Sequence, residues 1–128
     1  MTEQKLVDNL LSQAEKDFQT AEALFANKSY TYTLFFGQLT LEKILKALIV
    51  KKKNIIYPPL HSLAKLAQIA GINLSKSQRA ELEEITSYNI KARYDDIKLS
   101  FYKKATPAYS TKWLNKIKEW QIWLKSQF

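Results

Sequence analysis

The chain is predicted to fold as an all-α, up-and-down bundle of four to five helices, in one domain over residues 1–128. Three observations carry this. Apolar residues recur at three- and four-residue spacing through most of the sequence, and no segment alternates apolar and polar residues over a strand's length. Only two glycines and three prolines interrupt the pattern. A chain of 128 residues, 46% of them hydrophobic, buries roughly two thirds of its unfolded surface, enough for a core without covalent staples.

The elements follow in order. Leu6, Leu10, Ala14, Phe18, Ala21 and Phe25 place a first helix in a segment free of Gly and Pro, ending near Asn27. A second helix spans Tyr30 to Lys53. Its face of Leu34, Phe35, Gln38, Leu41, Leu45, Leu48 and Ile49 is widened by Phe36, Leu39 and Ile44, which marks it as the central helix. Gly37 lies inside it at a cost of about 1 kcal/mol relative to alanine, so close approach of a neighbouring helix is expected there.

Pro58-Pro59 forbids helix before it and opens a short third helix carrying Leu60, Leu63, Leu66, Ala67 and Ala70, stopped by Gly71. Ser75-x-x-Gln78 is a capping box for a fourth helix, with Leu82, Ile85 and Tyr88 or Asn89 on one stripe and Glu81, Glu83 and Glu84 opposite. Beyond Pro107, Ser110 or Thr111 is expected to cap a fifth, on which Trp113, Ile117, Trp120 and Leu124 form a core stripe. Between residues 89 and 106 the periodicity fails. That stretch gathers Arg93, Asp95 and Asp96 with Tyr94, Phe101 and Tyr102; an irregular connection of this length in a small domain is usually functional or disordered, and its aromatics argue against an inert linker.

Composition narrows the chemistry. The absence of cysteine excludes disulfides and thiolate catalysis, and a single histidine removes multi-histidine metal sites. Asp95 and Asp96 have no third oxygen motif nearby, so neither a metal nor a cofactor is expected. No run approaches the roughly 18 apolar residues of a membrane helix. The opening Met1-Thr2-Glu3-Gln4-Lys5 lacks the apolar core of a secretion signal, so a soluble cytoplasmic protein without a membrane partner is expected.

A net charge of +8 favours phosphate-bearing partners without specifying any. Residues 1–27 hold five acids against two lysines, and residues 97–128 seven lysines against one glutamate, a polarity read as two solvated faces.

Arg93 offers a bidentate fork for phosphate and Tyr94 a flat face for a base; the competing reading ties Arg93 to Asp95, Asp96 or a helix end. Lys51-Lys52-Lys53, with Lys43 and Lys46 before them, are read as favourable charge at a helix C-terminus. His61 has no nucleophile or acid beside it in sequence and is read as structural.

Three stretches together resemble a HEPN domain, the higher eukaryotes and prokaryotes nucleotide-binding family. They are Ala14-x-x-Asp17-x-x-x-Ala21-x-x-Leu24, Gln38-x-x-x-Glu42-Lys43-x-Leu45-Lys46-Ala47, and Ala92-Arg93-Tyr94-x-Asp96, the last close to the family's Ala-Arg-Tyr-Pro-Asp. His61-x-Leu63 matches its habit of opening the short middle helix with histidine. The resemblance implies a helical bundle that dimerises, works in prokaryotic defence or toxin–antitoxin systems, and often stands beside a minimal nucleotidyltransferase. Catalytic members resemble one another in an Arg-x(4 to 6)-His motif that cleaves RNA without metal in a cleft between protomers.

Here the family spacings after Arg93 supply Lys98, Leu99 or Ser100 and no histidine. Neither lysine nor serine readily replaces imidazole as a proton acceptor near neutral pH. Tyr102 follows Ser100 in the register at which some toxin members accept AMP.

The reading is therefore a HEPN-like, homodimeric nucleotide- or RNA-binding partner of a minimal nucleotidyltransferase, with Lys91, Arg93, Tyr94, Asp96 and Tyr102 as binding residues and no catalytic residue. The alternative is a metal-independent ribonuclease toxin using Arg93 with a non-canonical base; a third is a basic bundle that binds nucleic acid alone. Purified protein is expected to leave single-stranded RNA intact in the presence of a chelator. Robust cleavage abolished by Arg93→Ala would instead establish the ribonuclease.

Overall fold

Thr2 starts the chain's first helix, its hydroxyl accepting the Lys5 N–H at 3.1 Å. The computed structural model describes residues 2–128, apart from the side chains of Asp95 and Asp96. Among them are six helices and no strand: α1 Glu3–Ala26, α2 Tyr30–Lys53, α3 Leu63–Ile69, α4 Lys76–Lys91, α5 Asp95–Lys104 and α6 Pro107–Lys125.

α1 ends in a Schellman turn, with Lys28 N–H on Phe25 O at 3.0 Å and Ser29 N–H on Leu24 O at 2.8 Å. Lys28 takes the left-handed conformation (φ 61°) that glycine usually fills. The turn reverses the chain, and α2 packs back along α1 over most of its length. α2 also touches α3, α4, α5 and α6, and Leu41, Ile44, Leu45, Leu48 and Ile49 on it are fully buried. Its predicted bounds and central position hold.

α6 crosses α2 at Gly37, where a Cβ would stand 2.5 Å from Ile117 Cδ1. The close approach expected of that glycine is real. α4 opens with the predicted capping box on Ser75 and Gln78.

Three expectations are corrected. The helix count is six, because residues 95–104 of the supposedly irregular stretch form α5. Its sequence shows no apolar stripe, since among its described side chains only Phe101 is buried, stacking on Tyr88 at 5.4 Å between ring centres. The last helix begins at Pro107 with Thr106 as its cap, accepting the Tyr109 N–H at 3.2 Å, and not at Ser110 or Thr111. Proline at the first helical position lacks only an N–H that the helix would leave unpaired. The third helix begins at Leu63 behind Ser62, leaving Leu60 in the preceding loop.

Gly37→Ala is expected to destabilise the protein despite alanine's better helix propensity, because overpacking costs about 1–3 kcal/mol and Ile117 is fully buried. Ile117→Val removes the clashing Cδ1. Chemical denaturation of the double-mutant cycle should show it costing less in the Gly37→Ala background than alone; additive effects would refute the contact.

Candidate functional site

Gln38 and Glu42 stand one turn apart on the buried face of α2, where polar groups must find partners inside the protein. They find them in their own helix and in two other segments. Gln38 Nε2 donates to Glu42 Oε1 at 3.0 Å and to the His61 carbonyl at 3.2 Å. Its Oε1 accepts from Asn89 Nδ2 at 2.9 Å. Lys46 Nζ donates to Glu42 Oε2 at 2.8 Å, and His61 Nδ1 lies 3.0 Å from Glu42 Oε1. The Lys46 ammonium also sits over the Tyr57 ring, 5.0 Å from its centre.

The network continues outward through Asn89. Arg93 Nη2 donates to Asn89 Oδ1 at 2.6 Å, and Arg93 Nε donates to the Asn89 carbonyl at 2.8 Å. The guanidinium is thus clamped at the end of α4 while the residue stays exposed. At the opposite end the His61 side chain is 58% exposed. A line of hydrogen bonds therefore joins two accessible groups, a cation and an imidazole, through a buried carboxylate and two buried amides.

Electrostatics keeps that carboxylate charged. Burial pushes the Glu42 carboxyl up, but hydrogen bonds from Lys46, Gln38 and His61 and the charge of Lys46 outweigh it, leaving it below its usual 4.5.

The five residues nominated from sequence do not form one cluster. Arg93 and the 57%-exposed Tyr94 stand together between α4 and α5. Lys91 belongs to a neighbouring group in which Glu84 accepts from Lys104 at 2.9 Å and from Tyr109 Oη, while Tyr109 and Tyr88 hydroxyls meet at 2.7 Å. Partial burial and the charge of Lys104 lower the Lys91 ammonium's pKa, against the pull of Glu84. Tyr102 lines a separate cleft between α5 and the start of α2. Asp96 enters α5, and its side chain lies outside those described, as does that of Asp95.

Two residues with competing readings have described partners. Arg93 is tied to a helix end, at Asn89, yet remains exposed, so anchoring and accessibility coexist. His61 does stand before a short helix, but its ring is held by Glu42 and faces solvent. Sequence reasoning missed Gln38, Glu42 and Asn89 as a unit; the available signal was an amide and an acid inside the apolar stripe of α2. No group of three His, Cys, Asp or Glu side chains is placed to hold a metal among the described residues, and no described helix is long and apolar enough to cross a membrane.

The sequence profile of the HEPN domain matches residues 7–125. The chain belongs to the HEPN domain family. Its fold is shared by TT1696 from Thermus thermophilus, whose crystal structure superposes with a TM-score of 0.79 at 16% identity, covering 95% of this chain and 98% of that one. No curated protein matches the chain. The HEPN resemblance read from the Ala14–Leu24, Gln38–Ala47 and Ala92–Asp96 stretches holds at the level of the family, and Gln38, Glu42, His61 and Arg93, which those stretches and His61-x-Leu63 contain, lie in one network.

Glu42→Gln is expected to cost about 3–5 kcal/mol at neutral pH by leaving the buried Lys46 without a counter-ion. Because the folded carboxyl is held below its usual 4.5, its contribution is complete above that value and is lost as pH falls through the folded pKa. Stability of the parent protein and the variant, measured by urea denaturation against pH, should converge in acid; a constant gap would show that ionised Glu42 contributes nothing.

Proposed function

We propose that this HEPN protein binds a nucleotide or RNA in the cytoplasm as the partner of a minimal nucleotidyltransferase, in a prokaryotic toxin–antitoxin or defence system. The observation that carries the reading is the clamped guanidinium of exposed Arg93, followed in the chain by the exposed Tyr94 ring. A pre-oriented fork binds phosphate with less loss of side-chain freedom than a mobile one, and an adjacent ring supplies a stacking face. Lys91, Asp96 and Tyr102 belong to the same stretch of sequence and stay in the proposed set as separate contacts, Lys91 beside Glu84 and Tyr102 in the α5 cleft.

Homodimerisation rests on the family's habit. Ile90 and Ile97, near Arg93 in sequence, are 51% and 44% exposed, apolar side chains available to a second protomer. Pairing with a transferase rests on the family's habit, and a neighbouring reading frame encoding one, with a product that co-purifies, would support it.

One arrangement favours a second reading, the metal-independent ribonuclease. With Nδ1 donating to Glu42, the exposed His61 ring would present Nε2 as a base able to take a 2′-hydroxyl proton, in a network that ends on Arg93. Cleavage in chelator that is lost in both His61→Ala and Arg93→Ala would establish it.

For the leading reading, Arg93→Ala and Tyr94→Ala are expected to weaken nucleotide or RNA binding, the latter by about 1–3 kcal/mol for a lost base stack. Tyr94→Ala should barely move the melting temperature, since exposed substitutions change stability by no more than about 0.5 kcal/mol, whereas Arg93→Ala also removes the hydrogen bonds to buried Asn89 and should cost about 1–3 kcal/mol of stability. Loss of the Arg93 phosphate contact should flatten the log–log salt dependence by roughly one unit. Unchanged affinity with a lowered melting point would show that the pair is structural.

A further inference from the structure

A cleft of about 900 Å³ opens between the start of α2 and the outer face of α5. No residue of the Glu42 network lines it, Arg93 included, and neither does Tyr94. Lys28, Tyr30, Tyr32, Lys98, Tyr102 and Lys103 form its walls, and no acidic residue is among its described lining. The Tyr102 ring is 70% exposed and Tyr32 40%.

The cations divide into two kinds. Lys98 donates to the Tyr32 hydroxyl and lies 5.0 Å from that ring's centre, so it fixes the orientation of the Tyr32 face. Lys28 and Lys103 make no ion pair among the described residues. Lys28 has a left-handed backbone in the turn before α2, and it and Lys103 on α5 both line the cleft.

We propose that this cleft is a second subsite for single-stranded RNA, taking an unstacked base between tyrosine rings with its flanking phosphates at Lys28 and Lys103. The proposal rests on the RNA-binding reading of Arg93 and Tyr94 and extends it to a strand longer than one nucleotide. Tyr94, Lys98 and Tyr102 follow one another at four-residue intervals, so the two sites are separated by about 12 Å along α5 at 1.5 Å per residue. One strand laid along that helix reaches both. An acidic peptide would satisfy the lysines equally well, but a carboxylate has no face to stack on exposed rings, whereas every base has one. A paired duplex would keep its bases out of the cleft.

The test is fluorescence anisotropy of the full chain with a labelled oligouridylate several nucleotides long, with unlabelled AMP and polyglutamate as competitors. Tyr102→Ala should weaken binding about 5- to 150-fold, as expected for a lost base stack, while Tyr102→Phe retains it. Lys28→Ala and Lys103→Ala should each lower the log–log salt slope by about 0.7. AMP should compete far less well than unlabelled oligouridylate.

If Arg93→Ala weakens binding but Tyr102→Ala, folded to the same melting temperature, does not, the cleft assignment is overturned and the reading of Arg93 stands. If the parent protein does not bind the oligonucleotide, both fall. Displacement by polyglutamate as effective as by RNA would overturn the nucleic-acid assignment of the cleft, as would equal weakening by Tyr102→Phe and Tyr102→Ala.

Discussion

The Glu42 carboxylate must remain satisfied in the interior of the bundle, and much of the site's geometry follows from that requirement. An unpaired charge at this depth would be too costly to retain. Its donors come from its own helix one turn away on either side, Gln38 and Lys46, and from His61 in the loop before α3. Gln38 in turn holds the His61 carbonyl and the Asn89 side chain, so a single acid on α2 sets the positions of the α3 entry and the end of α4. Replacing such a network with apolar residues could be neutral for stability. Its use here is orientation.

That orientation reaches the surface at Arg93. The residue after a helix end is ordinarily free to move, but two hydrogen bonds to Asn89 fix both the backbone exit and the guanidinium plane. α5 begins immediately afterward and is anchored by a different device, the stacking of Phe101 on Tyr88, whose hydroxyl meets Tyr109 on α6. Two unrelated anchors, one polar and one aromatic, thus hold opposite ends of a segment that itself contributes little to the core. This division suits a binding surface: rigidity comes from below, and exposed Tyr94, Leu99 and Tyr102 are left available.

α2 explains why both anchors are possible. It contacts every other helix, with Gly37 admitting α6 closely enough that Ile117 occupies the space a methyl group would need. Its first residues form one wall of the α5 cleft while its middle carries Gln38 and Glu42. The arrangement places a clamped arginine just before α5 and a cationic aromatic cleft along that helix's flank.

Much of this was legible in the chain. The bounds of α2, the capping box of α4, the stop at Gly71 and the packing role of Gly37 are consequences of local spacing and backbone preference, which act over a few residues and leave a readable pattern. The motif stretches around Gln38, Glu42 and Arg93 likewise identified the HEPN family. α5 was not legible, because a ten-residue helix held mainly by Phe101 and the Ala105 that follows it has too few inward positions to show a period. Nor could sequence reveal that Asn89 links Gln38 to Arg93, that His61 faces Glu42, or that Lys91 and Tyr102 part company with Arg93. Those relations join residues 19 to 51 positions apart or send near neighbours in the chain to different partners, and only the packing of α3, α4 and α5 around α2 decides which of them meet.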